Sequence, residues 1–185
     1  MLKHIVFAAG LVVGVAPAWA ATWAVDPAKS KIGFSGTQTE QPFTGTFKTW
    51  TATIDFDPAK PEAAHIVATV ETGSATTGDT QRDEALPGSD WFDASKFPKA
   101  TFEATGFTPK GGDAYETAGK LTIRDKSQNV VLPFSLTITG DTAHAKGSAK
   151  LSRDAFGVGQ NAWASDEYVA YPVTVDIDLV AKKAP

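Results

Sequence analysis

Gly157-Val158-Gly159-Gln160-Asn161-Ala162 spells the letters of a dinucleotide-binding fingerprint. That fingerprint needs a buried strand before it, a helix after it and a further strand–helix–strand unit, because the pyrophosphate sits on the helix N-terminus. Only a strand-like segment follows here, so the stretch reads as a glycine-rich turn. Ser152-Arg153-Asp154 sets a hydroxyl beside a carboxylate, but no histidine lies near to act as its base. Asp90 and Asp93 flank Trp91 and Phe92 and could be written as an acid–base pair. Capping by short polar side chains accounts for them more simply. Beyond the first twenty residues the histidines are His65 and His144, far apart on polar stretches, and the chain has no cysteine. A zinc or haem site would need carboxylates gathered by the fold. These residues predict neither an enzyme nor a metal or other resident cofactor.

The chain carries 17 Lys and Arg against 21 Asp and Glu. Such an acidic balance does not attract nucleic acid or anionic headgroups. Lys3 and His4, the apolar run Ile5–Val15, Pro17 and Ala18-Trp19-Ala20 have the form of a signal peptide cleaved after Ala20. The run is shorter than the roughly 20 residues that span a bilayer. Residues 1–20 are therefore expected to be an export leader and 21–185 one soluble exported domain. Without disulfides, a hydrophobic core must hold it together.

The dominant period along the rest is two, which means strands. Trp50, Ala52, Ile54 and Phe56 alternate with polar residues. So do Ile66, Ala68 and Val70; Leu121 and Ile123; Leu132, Phe134, Leu136 and Ile138; Ala143, Ala145, Gly147, Ala149 and Leu151; and Tyr171, Val173, Val175, Ile177 and Leu179. Two further strands are expected near 30–36 and 100–109, the second with a bulge at Gly106, where parity flips. Turns are expected at Asp57-Pro58, Gly111-Gly112, Lys126-Ser127 and Gly140-Asp141. Residues 73–98 break the pattern: Thr80 and Asp83 suggest a helix start, and Pro87-Gly88 a stop about two turns later. This stretch is either a lid across one end or an ordinary connection.

Eight antiparallel strands, each with one apolar face, form either a sandwich or a closed barrel. A membrane barrel would turn its apolar face outward. The short runs, the charges at Glu71, Lys120, Lys146, Lys150, Asp176 and Asp178, and the lack of aromatic girdles favour the inside-out, water-soluble arrangement.

More specific signals run through the chain in order. Gly45-Thr46-Phe47 leads to Ile54-Asp55-Phe56-Asp57-Pro58, then to Thr80-Gln81-Arg82-Asp83 and Ser89-Asp90-Trp91-Phe92-Asp93. Phe97-Pro98-Lys99-Ala100-Thr101-Phe102, Gly119-Lys120-Leu121-Thr122-Ile123-Arg124 and Arg153-Asp154-Ala155-Phe156-Gly157-Val158-Gly159 follow. In this order and spacing the chain resembles the YceI-like family. The resemblance implies an all-β, eight-stranded, lipocalin-like barrel with a short helical lid segment, exported to the periplasm. It implies a bound isoprenoid quinone or polyprenyl lipid and carries over no catalytic residue. Trp91 and the Gly157–Gly159 turn resemble a branch linked to membrane b-type cytochromes. One departure is Arg124-Asp125-Lys126, where many relatives have a glycine.

An eight-stranded barrel is just wide enough to be filled by side chains or to hold one small ligand. The small face Ala143, Ala145, Gly147 and Ala149 opposite large residues could leave a channel or interdigitate and close it. Inward parity marks Phe34, Trp50, Ile54, Phe56, Val70, Phe102, Leu121, Phe134, Leu136, Phe156, Trp163, Val173 and Val175 as the expected ligand-facing residues. The partners expected are an apolar isoprenoid ligand, an inner-membrane b-type cytochrome and a second copy of the chain, but not nucleic acid. The runner-up is a ligand-free accessory or stress-response domain.

Overall fold

A computed structural model describes residues 21–184, so the expected leader and its cleavage site lie outside the described residues. Its strands are β1 (Ala21–Val25), β2 (Lys31–Gln38), β3 (Gln41–Phe47), β4 (Trp50–Phe56), β5 (His65–Glu71), β6 (Ala75–Thr76), β7 (Lys99–Thr105), β8 (Thr108–Gly111), β9 (Ala114–Ile123), β10 (Lys126–Thr139), β11 (Thr142–Ser152) and β12 (Pro172–Lys183). The helix α1 spans Thr80–Ala85.

The strands close into an eight-membered antiparallel ring in the order β1-β4-β5-β7-β9-β10-β11-β12, with β12 returning to β1. Closure leaves no open edge in the ring. The alternating apolar side chains point inward: Phe34, Phe56, Phe134, Ala143, Ala149 and Ala181 are all buried.

Seven of the eight expected strands lie in this ring, but the run near 30–36 does not close it. β12 is long enough to serve two neighbours. Its C-terminal end pairs with β1 at Trp23–Val25, whereas Thr174–Asp178 pair with β2. A 3-10 turn at Pro27–Lys29, capped by the Asp26 side chain, carries the chain from one to the other. β2 then turns into β3, with Thr39 and Glu40 both at positive φ (48° and 61°), and β3 leads to the short β6. We call the β1–β12 closure the upper end and the β2–β3–β6 extension the lower end.

One expected turn and the cap of the expected helix differ in detail. Lys126 and Ser127 are not a turn; they pair with Ile123 and Thr122, so the β9–β10 connection is Arg124-Asp125. The helix starts at Thr80, as expected, and its cap is Asp79, whose side chain accepts from the Arg82 N–H at 3.0 Å. At Gly106 the parity flip has its expected cause. Between the pairs Ala104↔Gly119 and Thr108↔Glu116, residues 105–107 stand opposite 117 and 118, one residue in excess. The extra residue turns Phe107 into the core, where it is 6% exposed.

Candidate ligand cavity

Two apolar voids lie inside the ring. The larger, about 170 Å³, occupies the lower half, between Phe34, Phe47, Val70, Phe92, Phe102, Leu121, Ile123, Val130, Leu151 and Val175, with Ala68, Ala100 and Ala149 giving it width. The smaller, about 60 Å³, lies in the upper half among Trp23, Ile54, Phe56, Ile66, Phe107, Phe134, Leu136, Ala143 and Ala145. Leu132 and Ile177 line both. Among the described residues no carboxylate, imidazole, ammonium or guanidinium lines either void. The hydroxyls in the larger are those of Thr72 and Thr101. Thr72 is fully buried, and its hydroxyl donates to the Phe97 carbonyl at 2.8 Å.

The halves differ because aromatic residues fill one of them. In the upper half Phe107 meets Phe56 and Phe134 at ring-centroid distances of 5.0 Å, and Tyr115 stacks on Phe134 at 5.8 Å. In the lower half Phe34, Phe47 and Phe92 follow one another at 5.2 and 5.9 Å along one wall, leaving the centre open. Phe34 reaches that wall because β3 carries Gly45 beside it; a Cβ on Gly45 would run into the Phe34 ring.

The expected ligand-facing residues divide accordingly. Phe34, Val70, Phe102, Leu121 and Val175 line the larger void, and Ile54, Phe56, Phe134 and Leu136 the smaller. Phe156 and Val173 pack behind the larger void without lining it. Trp50 pairs with Val70 at the start of β4 and lines neither. Trp163 stands outside the barrel, in a surface groove of about 460 Å³ between the β2–β3 hairpin and α1. Parity reasoning missed Phe47, which lies on an unexpected strand, and Phe92, which lies on no strand. The signal for Phe92 is the apolar pair Trp91-Phe92 inside an otherwise polar loop.

The segment between β6 and β7 covers the lower end, and Phe92 is its contribution to the cavity wall. Arg124 holds it from one side. The Arg124 side chain is 8% exposed, and Nη1 donates to the carbonyls of Ser89 and Trp91. Its Nη2 lies 3.7 Å from Asp93. Asp90 is held from the other side: its carbonyl accepts from the Gly159 and Gln160 N–H groups and its carboxylate from Asn161 Nδ2. Asp90 and Asp93 are therefore ties between segments rather than the helix caps expected. α1 is anchored by Asp83, whose carboxylate accepts from the hydroxyl and N–H of Thr77 and from the Thr76 hydroxyl. These bonds, that of Thr76 foremost, hold its pKa down at about 2. The Ser152-Arg153-Asp154 trio is structural in its middle member. The Arg153 guanidinium is buried and donates to the carbonyls of Val158, Gly159, Ser165, Val169 and Ala170, fixing the glycine-rich turn.

A family model described as a YceI-like domain matches residues 23–181. Among curated relatives, a UPF0312 protein of Azotobacter vinelandii is 28% identical over 71% of this chain and 72% of its own length. A UPF0312 protein of Pseudomonas savastanoi is 31% identical, the match covering 62% of each chain. Protein YceI of Escherichia coli O6:H1 is 36% identical over 52% of this chain and spans half of its own length. Among solved structures, Burkholderia cenocepacia BcnA superposes with a TM-score of 0.82 at 37% identity, over 85% of this chain and 99% of that one. A Campylobacter jejuni YCEI protein gives 0.68 at 25% identity over 76% and 85%. A polyisoprenoid binding domain from Saccharophagus degradans also gives 0.68, over 89% and 99%, but at 11% identity it is a likeness of fold alone.

Proposed function

The chain belongs to the YceI-like family, and we propose that its barrel binds the apolar chain of an isoprenoid lipid or isoprenoid quinone in the lower void. The observation that carries this reading is the void itself, about 170 Å³ bounded by hydrocarbon and two threonines. An apolar cavity of about 150 Å³ stays dry and takes up a molecule such as benzene. The fold likeness to a domain described as polyisoprenoid binding agrees with this. Each isoprene unit has five carbons, and burying each CH₂ contributes about 0.8 kcal/mol. One seated unit thus gives on the order of 4 kcal/mol, which suits a carrier that loads and unloads rather than a permanent store. In this reading the protein works in the periplasm, takes its ligand from a membrane and performs no catalysis. Transient contact with an inner-membrane b-type cytochrome would be one route of delivery.

The test is organic extraction of protein purified from its native host, followed by mass spectrometry. The expected result is a prenyl lipid or quinone at a substantial fraction of one per chain; repeatedly empty protein overturns the reading. A second reading, a ligand-free accessory domain, is favoured by the packed upper half of the barrel. It predicts that empty outcome together with no thermal stabilisation by added quinone, since a ligand that binds only the folded state must raise its stability.

A further inference from the structure

We propose that the surface groove around Trp163 is a docking site for a Lys- or Arg-bearing segment of a partner protein. The groove lies outside the barrel, so the inference is independent of what the lumen holds. Three stretches build it: the tip of the β2–β3 hairpin, α1 with its flanks, and the loop before β12. Its apolar wall is aromatic. The Trp163 ring centroid lies 5.6 Å from that of Trp91 and 6.4 Å from that of Tyr168. Tyr168 is 51% exposed, so this wall continues onto the open surface. Trp and Tyr in such positions are the residue types that anchor protein interfaces.

The charge around these rings selects the partner. Residues 38–43, 77–91 and 160–169 contain seven Asp and Glu, one Arg and no Lys, although the whole chain is nearly balanced at 17 basic to 21 acidic. Asp83 and Asp90 are bonded within the fold, and Asp79 faces Arg82 at 3.7 Å. Glu40, Glu84, Asp166 and Glu167 are exposed and enter no ion pair among the described residues. The Thr39 N–H donates to the Tyr168 carbonyl at 2.7 Å, which brings the backbone of Glu40 and Glu167 to one rim. Arg82 is already engaged: it donates to Gln38 Oε1 at 3.0 Å, and its guanidinium stands 5.1 Å over the Phe43 ring. An aromatic groove under an unneutralised acidic rim attracts Lys and Arg through charge and through the ring faces. The same rim repels the anionic headgroups that exposed Trp and Tyr would otherwise suit.

The experiment pans a randomised peptide display library against the full mature chain and measures synthetic copies of the selected peptides by fluorescence anisotropy. Selected sequences should be enriched about twofold or more in Lys and Arg over the starting library. Raising NaCl from about 20 mM to about 200 mM should weaken their binding about tenfold. Glu40→Lys/Glu167→Lys and Trp163→Ala should each weaken it about tenfold or more. Asp113→Lys/Asp141→Lys makes an equal charge change in exposed turns at the upper end and should leave binding within about twofold. If Trp163→Ala does not fold, the exposed Tyr168→Ala carries the same test. A library that yields no binders, neutral or acidic selected sequences, salt-independent binding, or an equal loss in the upper-end pair overturns the proposal. Cosedimentation of the wild type with phosphatidylglycerol vesicles, lost in Trp163→Ala, also overturns it and gives the face to a membrane.

Discussion

Arg124 Nη1 donates to the Trp91 carbonyl at 2.5 Å, joining the β9–β10 hairpin to the segment that covers the lower end of the barrel. The residue making this bond has a left-handed backbone, with φ +56°, in a turn where glycine would be at ease. Left-handed backbone costs an L-residue roughly 1–2 kcal/mol. Each hydrogen bond from a charged donor returns about 1.5–3 kcal/mol. The guanidinium thus outweighs the backbone penalty, which explains an arginine at this position.

Arg124→Gly and Arg124→Ala should both lower stability, alanine by roughly 2–4 kcal/mol and glycine by about 1 kcal/mol less, since glycine sheds the backbone strain. Urea unfolding measures the difference. Hydrogen exchange at residues 89–93 should quicken in both, with little change across β10–β11. Equal protection of 89–93 in wild type and variants would refute the clasp.

Asp83 supplies a pH dependence of known sign. Its folded-state pKa of about 2 lies below the ordinary carboxylate value of 3.8. Its contribution is therefore complete above about pH 4 and is lost as pH falls towards 2. Wild type and Asp83→Asn should differ in Tm by a constant amount above pH 5, and the gap should shrink steadily below pH 4. A gap that persists unchanged at pH 2 would show that the carboxylate charge does not hold the 76–78 turn.

Much of the barrel is legible because period two survives wherever β4, β5, β9, β10, β11 and β12 have one wet face. β3 is not legible: Pro42 and Gly45 interrupt its alternation, and the turn before it uses Thr39-Glu40 instead of glycine or asparagine. The site was half legible for a different reason. Parity gives the direction of a side chain but not what stands opposite. Phe102 and Phe134 both point inward, yet one borders open space and the other lies in a ring cluster that Phe107 completes from across a strand break. Phe156 and Trp163 sit in 3-10 turns outside the strands, where parity has no meaning.

Arg153 should prove among the costliest polar side chains to remove. It is 4% exposed, and its guanidinium serves five backbone carbonyls. Arg153→Ala leaves those acceptors short of a buried donor and should cost about 3–5 kcal/mol in urea unfolding. Arg153→Lys should recover less than half of the loss, because an ammonium cannot reproduce the planar fork of donors. Full recovery by lysine would mean that only a positive charge is needed there.

Ala149→Leu tests the lower void without touching the covering segment. Ala149 is buried and borders the void, so a leucine at this position has open space to enter rather than a packed wall to displace. Filling a cavity of this kind commonly stabilises by about 0.5–2 kcal/mol. The same carbons occupy the volume proposed for the ligand, so affinity for an apolar probe should fall by about tenfold or more. Higher Tm with lower probe affinity is thus the expected pair of results, read from thermal melts and fluorescence titration. A leucine that destabilises would show the void too narrow to receive it, whereas a stabilised variant with undiminished affinity would place the probe elsewhere. The surface groove at Trp163 would then be the next place to look.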